Sequence, residues 1–373
     1  MPLNAYYFGY ISLVGIITNM MIFAAISLMF TLSFAVCAVG AAAPGFALVL
    51  SYIPTAVLVY IRFVVKLMAG FRFSALYTSN ILVVIWLFAL YGVIIFAAAL
   101  RPKPIKYITP VCTLIISLCV ILIVSPMTMK SGTLTVTALN VGQGSSTVIS
   151  DGNYTLLIDC GSSDRSDAGS TAAGYLSSRG ITKIDMLILT HYHIDHANGI
   201  EYVIRNMQVG AVLMPEPLEE DEAAYNKIVA AAEKHGTKIE IIYENTTLGL
   251  NESTATVFAP IGIDDENERG LTLLYTKKTY DILITGDAKY TVEEILCRRT
   301  ALPDIEVLIA GHHGSKYSNG DVLLNEAKPD IAVISVGENS YGHPSRETLE
   351  RFSKHGIEVH RTDIEGNVKI ALG

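Results

Sequence analysis

Hydrophobic and polar positions follow two different schemes along this chain. From Met1 to Ile61 no charged side chain interrupts the sequence, a stretch too long for one bilayer span of about 20 residues and enough for two. Ala43-Pro44-Gly45 is where a helix would stop, so the division is placed there. Apolar runs over about residues 73–100 and 107–125 follow, separated by the basic loop Arg101-Pro102-Lys103-Pro104-Ile105-Lys106. Beyond residue 130 the apolar runs become short and are set between polar turns. Strands are expected at 134–139, 146–149, 155–158, 186–189, 211–214, 239–243, 256–259, 271–275, 282–285, 307–310, 331–336 and 368–372. Helical periodicity lies between several of them, for example at 219–235, 291–299 and 345–355, the first and last stopping at Gly236 and Gly356. The early strands arrive as hairpins and the later ones alternate with helices, which predicts mixed sheets. The expected organisation is a polytopic membrane segment of about four transmembrane helices over 1–129 and an α/β domain over 130–373.

Charge sharpens that division. Only 17% of the residues are charged and 51% are hydrophobic, against roughly 25% charged in a soluble domain. Before residue 130 there are six basic residues (Arg62, Lys66, Arg72, Arg101, Lys103, Lys106) and no acid, leaving 21 basic and all 35 acidic residues beyond it. The net charge of −8 is therefore +6 on the first part and −14 on the second. A single soluble domain, a disordered chain and a globally basic nucleic-acid binder are all excluded. The first span lacks the basic start of a secretory signal and is too long for its apolar core. With Lys130, the loop charges divide four against three, too even to orient the segment. Ser12, Thr18, Asn19, Ser27, Thr31 and Ser33 read as contacts between helices, with a pore-lining Thr18-Asn19 pair as the alternative. Cys37, Cys112 and Cys119 fall in apolar spans, and Cys160 and Cys297 form no C-x-x-C pair. Neither a disulfide framework nor a cysteine zinc site is expected.

The chemistry collects where strands end. The run 186–190 leads directly into His191-Tyr192-His193-Ile194-Asp195-His196. On an extended or tightly turning backbone His191 and His193 can grip one ion, and Asp195 and His196 then face a second position. Imidazole with carboxylate suits zinc, manganese or iron rather than calcium. The run 281–285 ends at Gly286-Asp287, and 304–310 ends at Gly311-His312-His313-Gly314-Ser315. His343 follows the strand at 331–336. Taken alone, Asp287 reads equally as a turn aspartate and His343 as a loop histidine. Beside the other clusters both join the candidate site.

The spacing His191-x-His193-x-Asp195-His196, then Asp287 and His312-His313, resembles the metallo-β-lactamase superfamily. Finer details resemble the C-terminal domain of ComEC-family DNA-internalisation proteins. They are Asn140-Val-Gly-Gln-Gly144, Leu157-Ile-Asp-Cys-Gly161, Leu189–His196, Ile284-Thr-Gly-Asp-Ala288, His312-His-Gly-Ser315, Ser335-Val-Gly-Glu-Asn339, Tyr341-Gly-His-Pro344 and Arg361-Thr-Asp363. The membrane segment, with Gly15-Ile-Ile-Thr-Asn19, resembles the end of that family's channel domain. Family members are usually longer, with an extracellular domain and further spans upstream; a fragment, a split partner and an abbreviated relative all fit. The resemblance implies an αββα sandwich with one or two divalent ions, zinc or manganese, at one edge. It also implies a multi-pass protein of the bacterial inner membrane whose hydrolase domain is extracytoplasmic and takes up DNA as a single strand. A homo-oligomer or a partner would supply the rest of the channel. Asp159 matches the family acid that orients a ligand histidine from behind. Two departures stand out. Ser145-Ser146 replaces a common acid, and the third imidazole expected for the first metal has only His235 to offer, at a helix end.

The activity implied is phosphodiester hydrolysis. Asp287 would bridge the ions, with Asp195, His196 and one of His312 and His313 completing the tighter site. His343 and the remaining histidine of the pair would face the phosphate as proton donor or charge stabiliser. The expected catalytic residues are thus Asp195, His313 and His343, and Ser315 and Asn339 are expected to touch substrate. A charge of −14 opposes a polyanion, although Arg165, Arg179, Lys316 and Arg346 offer a local basic patch. The competing readings are a membrane-anchored hydrolase of a smaller phosphoester and a channel subunit that binds DNA without cutting it. Nothing marks a lactam pocket, and a fold alone does not choose a substrate.

Overall fold

The computed structural model describes residues 10–69, 75–77, 81–100, 112–114, 116–117, 133–152, 154–164, 167–261 and 269–373. The chain divides into two compact units near residue 125.

In the first unit, helix α1 (Gly15–Ala42) leaves helical geometry at Ala43, and Pro44 opens helix α2 (Pro44–Leu50). A proline costs nothing at a first helical position, where the missing N–H has no partner to lose. Helix α3 (Tyr52–Ala69) follows. Strand β1 (Tyr10–Ser12) pairs antiparallel with β2 (Ala75–Tyr77), and helix α4 (Ile81–Leu100) comes next. Two stretches, Gly15–Gly40 and Pro44–Val65, are long and apolar enough to cross a membrane. Ile22 is the buried residue of α1, while Phe23, Phe30 and Phe34 lie exposed along it. The helix thus shows an apolar surface with no polar face to turn to water. The helix polar groups differ from expectation. The hydroxyls of Thr18, Ser27 and Thr31 donate to carbonyls one turn back in their own helix, at 2.8, 3.2 and 3.0 Å, instead of to a neighbouring helix. Of the fourth expected span, 107–125, only two short helical pieces are among the described residues. The 101–106 loop, Arg72, Lys130 and Arg165 lie outside them.

The second unit is a sandwich of two seven-stranded sheets. Its strands are β3 (Leu134–Ala138), β4 (Thr147–Ser150), β5 (Thr155–Ile158), β6 (Lys183–Ile188), β7 (Gln208–Met214), β8 (Lys238–Ile241), β9 (Thr246–Leu250) and β10 (Ser253–Phe258), then β11 (Thr272–Lys277), β12 (Tyr280–Ile284), β13 (Val307–Ile309), β14 (Ile331–Ile334), β15 (Glu358–Arg361) and β16 (Val368–Leu372). The first sheet runs β16-β3-β4-β5-β6-β7-β8 and the second β15-β14-β13-β12-β11-β10-β9. Each is antiparallel at one side and parallel at the other, the change falling after β5 in the first sheet and at β12 in the second. The last strand, β16, pairs antiparallel with β3, the first strand of the domain.

Alternation along the strands builds three cores. Leu156 and Ile158 of β5 face Leu273, Ile282 and Ile309 of the second sheet between the two layers. Leu157 points the other way, towards helices α5 (Ala168–Ser178), α7 (Ile200–Asn206) and α8 (Glu222–His235), with the four-residue helix α6 (Ile194–Ala197) between α5 and α7. Leu283 and Leu308 similarly face helices α9 (Tyr290–Arg299), α10 (Asp321–Ala327) and α11 (Arg346–Lys354), with the short α12 (Thr362–Glu365) behind them in sequence. The expected αββα order is observed. Two strands, β9 and β15, carry no expectation from the pattern, and both are edges of the second sheet.

A buried polar cluster sits at the β4–β5 turn, remote along β5 from Asp159. Asp151 Oδ2 accepts from the hydroxyls of Ser253 and Tyr275, each at 2.8 Å, and Lys277 Nζ donates to the Asp151 carbonyl at 2.9 Å. These bonds tie the first sheet to the second where apolar packing alone would leave a carboxylate unsatisfied. Tyr275→Phe keeps the ring and removes one donor. It should lower stability by about 1–3 kcal/mol, read as a lower denaturant midpoint with an unchanged slope.

Candidate metal centre

The carboxyl ends of β5, β6, β12, β13 and β14 open onto one edge of the sandwich, and each delivers a polar side chain there. Parallel strands with helical returns leave their following loops together, which is where α/β sheets bind ligands. The anchor is Asp159, just past β5, with a left-handed φ of 55°. Its Oδ1 accepts the Thr190 N–H at 2.7 Å, and its Oδ2 accepts the Thr190 hydroxyl at 2.9 Å and His196 Nδ1–H at 2.7 Å. Because the Thr190 hydroxyl donates to Asp159, it accepts from His191 Nδ1, 3.0 Å away. On the far side, His313 Nδ1–H donates to the Ser335 carbonyl at 2.7 Å. Three imidazoles are thereby held in one tautomer, each with Nε2 turned inward.

Those inward atoms converge. His196 Nε2 lies 3.1 Å from Asp287 Oδ1, His191 Nε2 3.7 Å from Asp287 Oδ2, and His313 Nε2 3.4 Å from Asp195 Oδ2. His312 Nε2 is 3.6 Å from Asp287 Oδ2, and His193 Nδ1 is 3.0 Å from His191 Nε2. Two groups of three ligand atoms result, His191-His196-Asp287 and Asp195-His196-His313, each within 4.8 Å. His196 Nε2, Asp287 Oδ1 and His313 Nε2 are buried and make no hydrogen bond. A buried polar atom left so costs about 1–3 kcal/mol, and three of them aimed at common points fit a divalent cation. Seven residues expected from the sequence are therefore brought together, and His313 is the member of its pair that joins Asp195 and His196.

Electrostatics agree with that fit. Burial and the neighbouring His196 hold His191 well below the ordinary imidazole range. Burial also opposes charge on His196, but Asp287 and Asp159 outweigh it and raise that imidazole well above its ordinary value. At Asp287 burial is overcome by His196 and His191, leaving the carboxyl well below its usual range. Asp195 falls to about 2, with burial overcome by His313, 3.4 Å away, and by His196. The pocket holds a proton on His196 and charge on Asp195 and Asp287, and a cation bound there would displace that proton.

The His312-His313 turn is strained, with both residues left-handed (φ 52° and 53°). What holds it was not visible in the sequence. The Asn319 amide accepts from Gly311 N at 2.8 Å and donates to Gly311 O at 3.0 Å, and His312 N–H donates to Gly286 O at 3.0 Å. Glu293, buried in α9, accepts the N–H groups of Asn319 and Gly320 at 2.7 Å each. Arg351 from α11 donates to the carbonyls of Ser318 and Asn319 at 2.9 Å each, and Ser318 Oγ donates to Ala288 O at 2.7 Å. One segment thus ties the Asp287 loop to the histidine loop. Thr190, Asn319 and Glu293 left only weak sequence signals: Thr190 precedes His191, and Asn319-Gly320 reads as a turn.

The remaining expected residues stand further out. The His343 ring lies 5.5 Å from His312, and its pKa is lowered to about 4 by burial and then by His312 and His313. The Ser315 hydroxyl accepts from Tyr317 N–H at 3.3 Å, and the Asn339 amide is spent on its own loop, donating to the Gly337 and His343 carbonyls at 2.9 and 2.8 Å. His235 is exposed at the end of α8, as its place before Gly236 suggested, and adds no third imidazole.

Two outcomes are expected. Asp159→Asn replaces one acceptor with a donor facing His196, and zinc affinity measured by chelator competition should fall about 10- to 100-fold; equal affinity would contradict the orienting role. Burial raises the Glu293 carboxyl from its ordinary 4.5 to about 7. The folded protein then binds this proton more tightly than the unfolded chain, so stability falls as pH rises from 4.5 to about 7. Glu293→Gln should flatten that part of the pH dependence in urea titrations.

Comparison with known proteins places this edge in a family. ComE operon protein 3 of Bacillus subtilis (strain 168) is 30% identical over 200 residues, covering 52% of this chain and 25% of the relative. Competence protein ComA of Neisseria gonorrhoeae is 28% identical over 240 residues, covering 64% and 32%. Recombination protein 2 of Haemophilus influenzae is 30% identical over 242 residues, covering 63% and 28%. These are the ComEC-type relatives that the motifs resembled. The chain spans between a quarter and a third of their lengths. The model of the metallo-beta-lactamase superfamily matches residues 139–338, from the turn after β3 to the loop after β14, and so takes in every residue whose ligand atoms converge here. By that match the chain belongs to the metallo-beta-lactamase superfamily.

Proposed function

We propose that this protein is a membrane-bound, metal-dependent phosphodiesterase that acts on single-stranded DNA during competence-related uptake. The observation that carries the reading is the pair of three-ligand groups sharing His196, with each imidazole fixed from behind. Divalent cations held there, zinc or manganese, would supply Lewis-acid activation of water and offset charge on a phosphoryl group. His191, Asp195, His196, Asp287 and His313 would hold them, with His193 beside His191 Nε2 at 3.0 Å as a further candidate. Asp159, Thr190 and the Ser335 carbonyl keep the imidazoles oriented. His312 and His343 stand beside this set without joining either group, and His343, neutral near pH 7 with a pKa of about 4, can donate a hydrogen bond to a phosphate oxygen. The similarity to competence proteins supports DNA as the substrate.

The two long apolar helices, which carry no acid, support insertion in the bacterial cell membrane as part of a multi-pass segment, with the hydrolase domain extracytoplasmic and a second copy or a partner completing the channel. A second reading rests on charge. The excess of acid beyond residue 130 favours a smaller phosphoester, and Arg346, one of the expected basic residues, pairs with Glu350 at 2.7 Å. Salt separates the two, since polyanion binding weakens steeply as salt rises and hydrolysis of a small ester does not.

The test is cleavage of a single-stranded oligonucleotide by the purified chain with manganese or zinc. Asp195→Ala and Asp287→Ala should each lose more than the about 100-fold that removal of an orienting group costs. Full activity in either variant refutes the assignment.

A further inference from the structure

The loop between β14 and α11 carries a ring that its own packing does not explain. Asn339 braces this loop from inside. Besides its two donated bonds, its Oδ1 accepts from Tyr341 N–H at 3.0 Å and His343 N–H at 3.1 Å. At the base, a Cβ on Gly337 would come within 2.3 Å of the Gly142 carbonyl carbon, so the loop is seated directly on the β3–β4 turn. On this fixed support Tyr341 is 68% exposed. Among the described residues its hydroxyl has no hydrogen-bond partner.

The ring is nevertheless placed. Its centroid lies 6.0 Å from His343 with the planes 32° apart, His343 lies 5.5 Å from His312, and His312 reaches Asp287 at 3.6 Å. Three aromatic rings therefore lead from the ligand carboxylate out to solvent. Tyr317, also exposed, differs in having Lys316 Nζ 4.9 Å from its ring centroid, which covers one face.

We infer that Tyr341 stacks a nucleobase next to the phosphodiester held at the metal centre. The inference rests on the phosphodiesterase reading and names the residue that selects the substrate within it. A base within a duplex has both faces covered by its neighbours, whereas a base on a single strand or a frayed end offers one. A lone exposed ring on a rigid loop therefore prefers the single strand. Stacking is also indifferent to charge and to sequence, so it supplies affinity that an acidic domain cannot draw from phosphate contacts. The loop is already ordered by Asn339, so little entropy is lost when a base lands on it.

The experiment measures KM for cleavage of a single-stranded oligonucleotide and of a strand of equal length carrying stable abasic analogues, with the full chain and manganese. Tyr341→Ala should raise KM for the base-bearing strand about 10-fold and leave the abasic strand unchanged. Tyr341→Phe and Tyr341→Trp should keep the wild-type preference. Tyr243→Ala, which removes a tyrosine 69% exposed outside the site loops, should change neither strand. Equal KM for the two strands in the wild type, or a Tyr341→Ala effect of the same size on both, overturns the inference while leaving the phosphodiesterase reading intact. A wild type that cleaves neither strand refutes that reading and the inference with it.

Discussion

Most of the site depends on what surrounds one carboxylate. Asp159 sits at the end of β5 with 1% of its surface exposed, in a backbone conformation that an aspartate adopts at some cost. Burying such a charge costs several kcal/mol unless donors replace its water. Three donors do so, two from Thr190 and one from His196. Each of them has a second consequence. The Thr190 N–H registers the end of β6 against the end of β5, the Thr190 hydroxyl is left to receive His191, and the His196 bond leaves Nε2 facing Asp287. Loss of Asp159 would therefore release two ligand histidines together with the junction of two strands.

The second sheet meets this arrangement through donors to backbone carbonyls of the first. Leu271 N–H donates to the Thr190 carbonyl at 2.9 Å, and Ser335 Oγ donates to the Gly144 carbonyl at 2.9 Å. Gly161 lies so close to Asp195 and His196 that a Cβ there would fall 2.3 Å from His196 N. The loop that carries Asp195 and His196 is thus held against Gly161 main chain to main chain. A methyl group added at that glycine has no flexible neighbour to push aside.

Much of this was legible before any coordinates, and the reasons are local. Candidate ligands that follow an apolar strand within a few residues, as His191 follows β6 and Asp287 follows β12, stand out because strand and chemistry are contiguous. The division at Ala43-Pro44 and the helix stop at Gly236 rest on single-residue backbone rules. That His313 rather than His312 turns towards Asp195 was hidden, because its ring is held by the Ser335 carbonyl just past β14 and its turn by the Asn319 amide, which bonds Gly311 eight residues away. Strands β9 and β15 were hidden for another reason. As sheet edges they are covered on one side only, so Thr246–Leu250 and Glu358–Arg361 need no apolar run and show none. The hydroxyls of the first helix misled because a serine or threonine within apolar surroundings can be satisfied one turn back without any neighbour.

The closure of the first sheet bears on how the molecule is made. Strand β3 comes first in sequence among the strands of the two sheets, and β16, which covers its outer side, comes after all the others. Through translation of more than two hundred intervening residues the β3 edge has no partner, and an open edge is a template for pairing with other chains. Until β16 has emerged, this sheet stays open on that side. Removal of residues 368–372 would reopen the β3 edge.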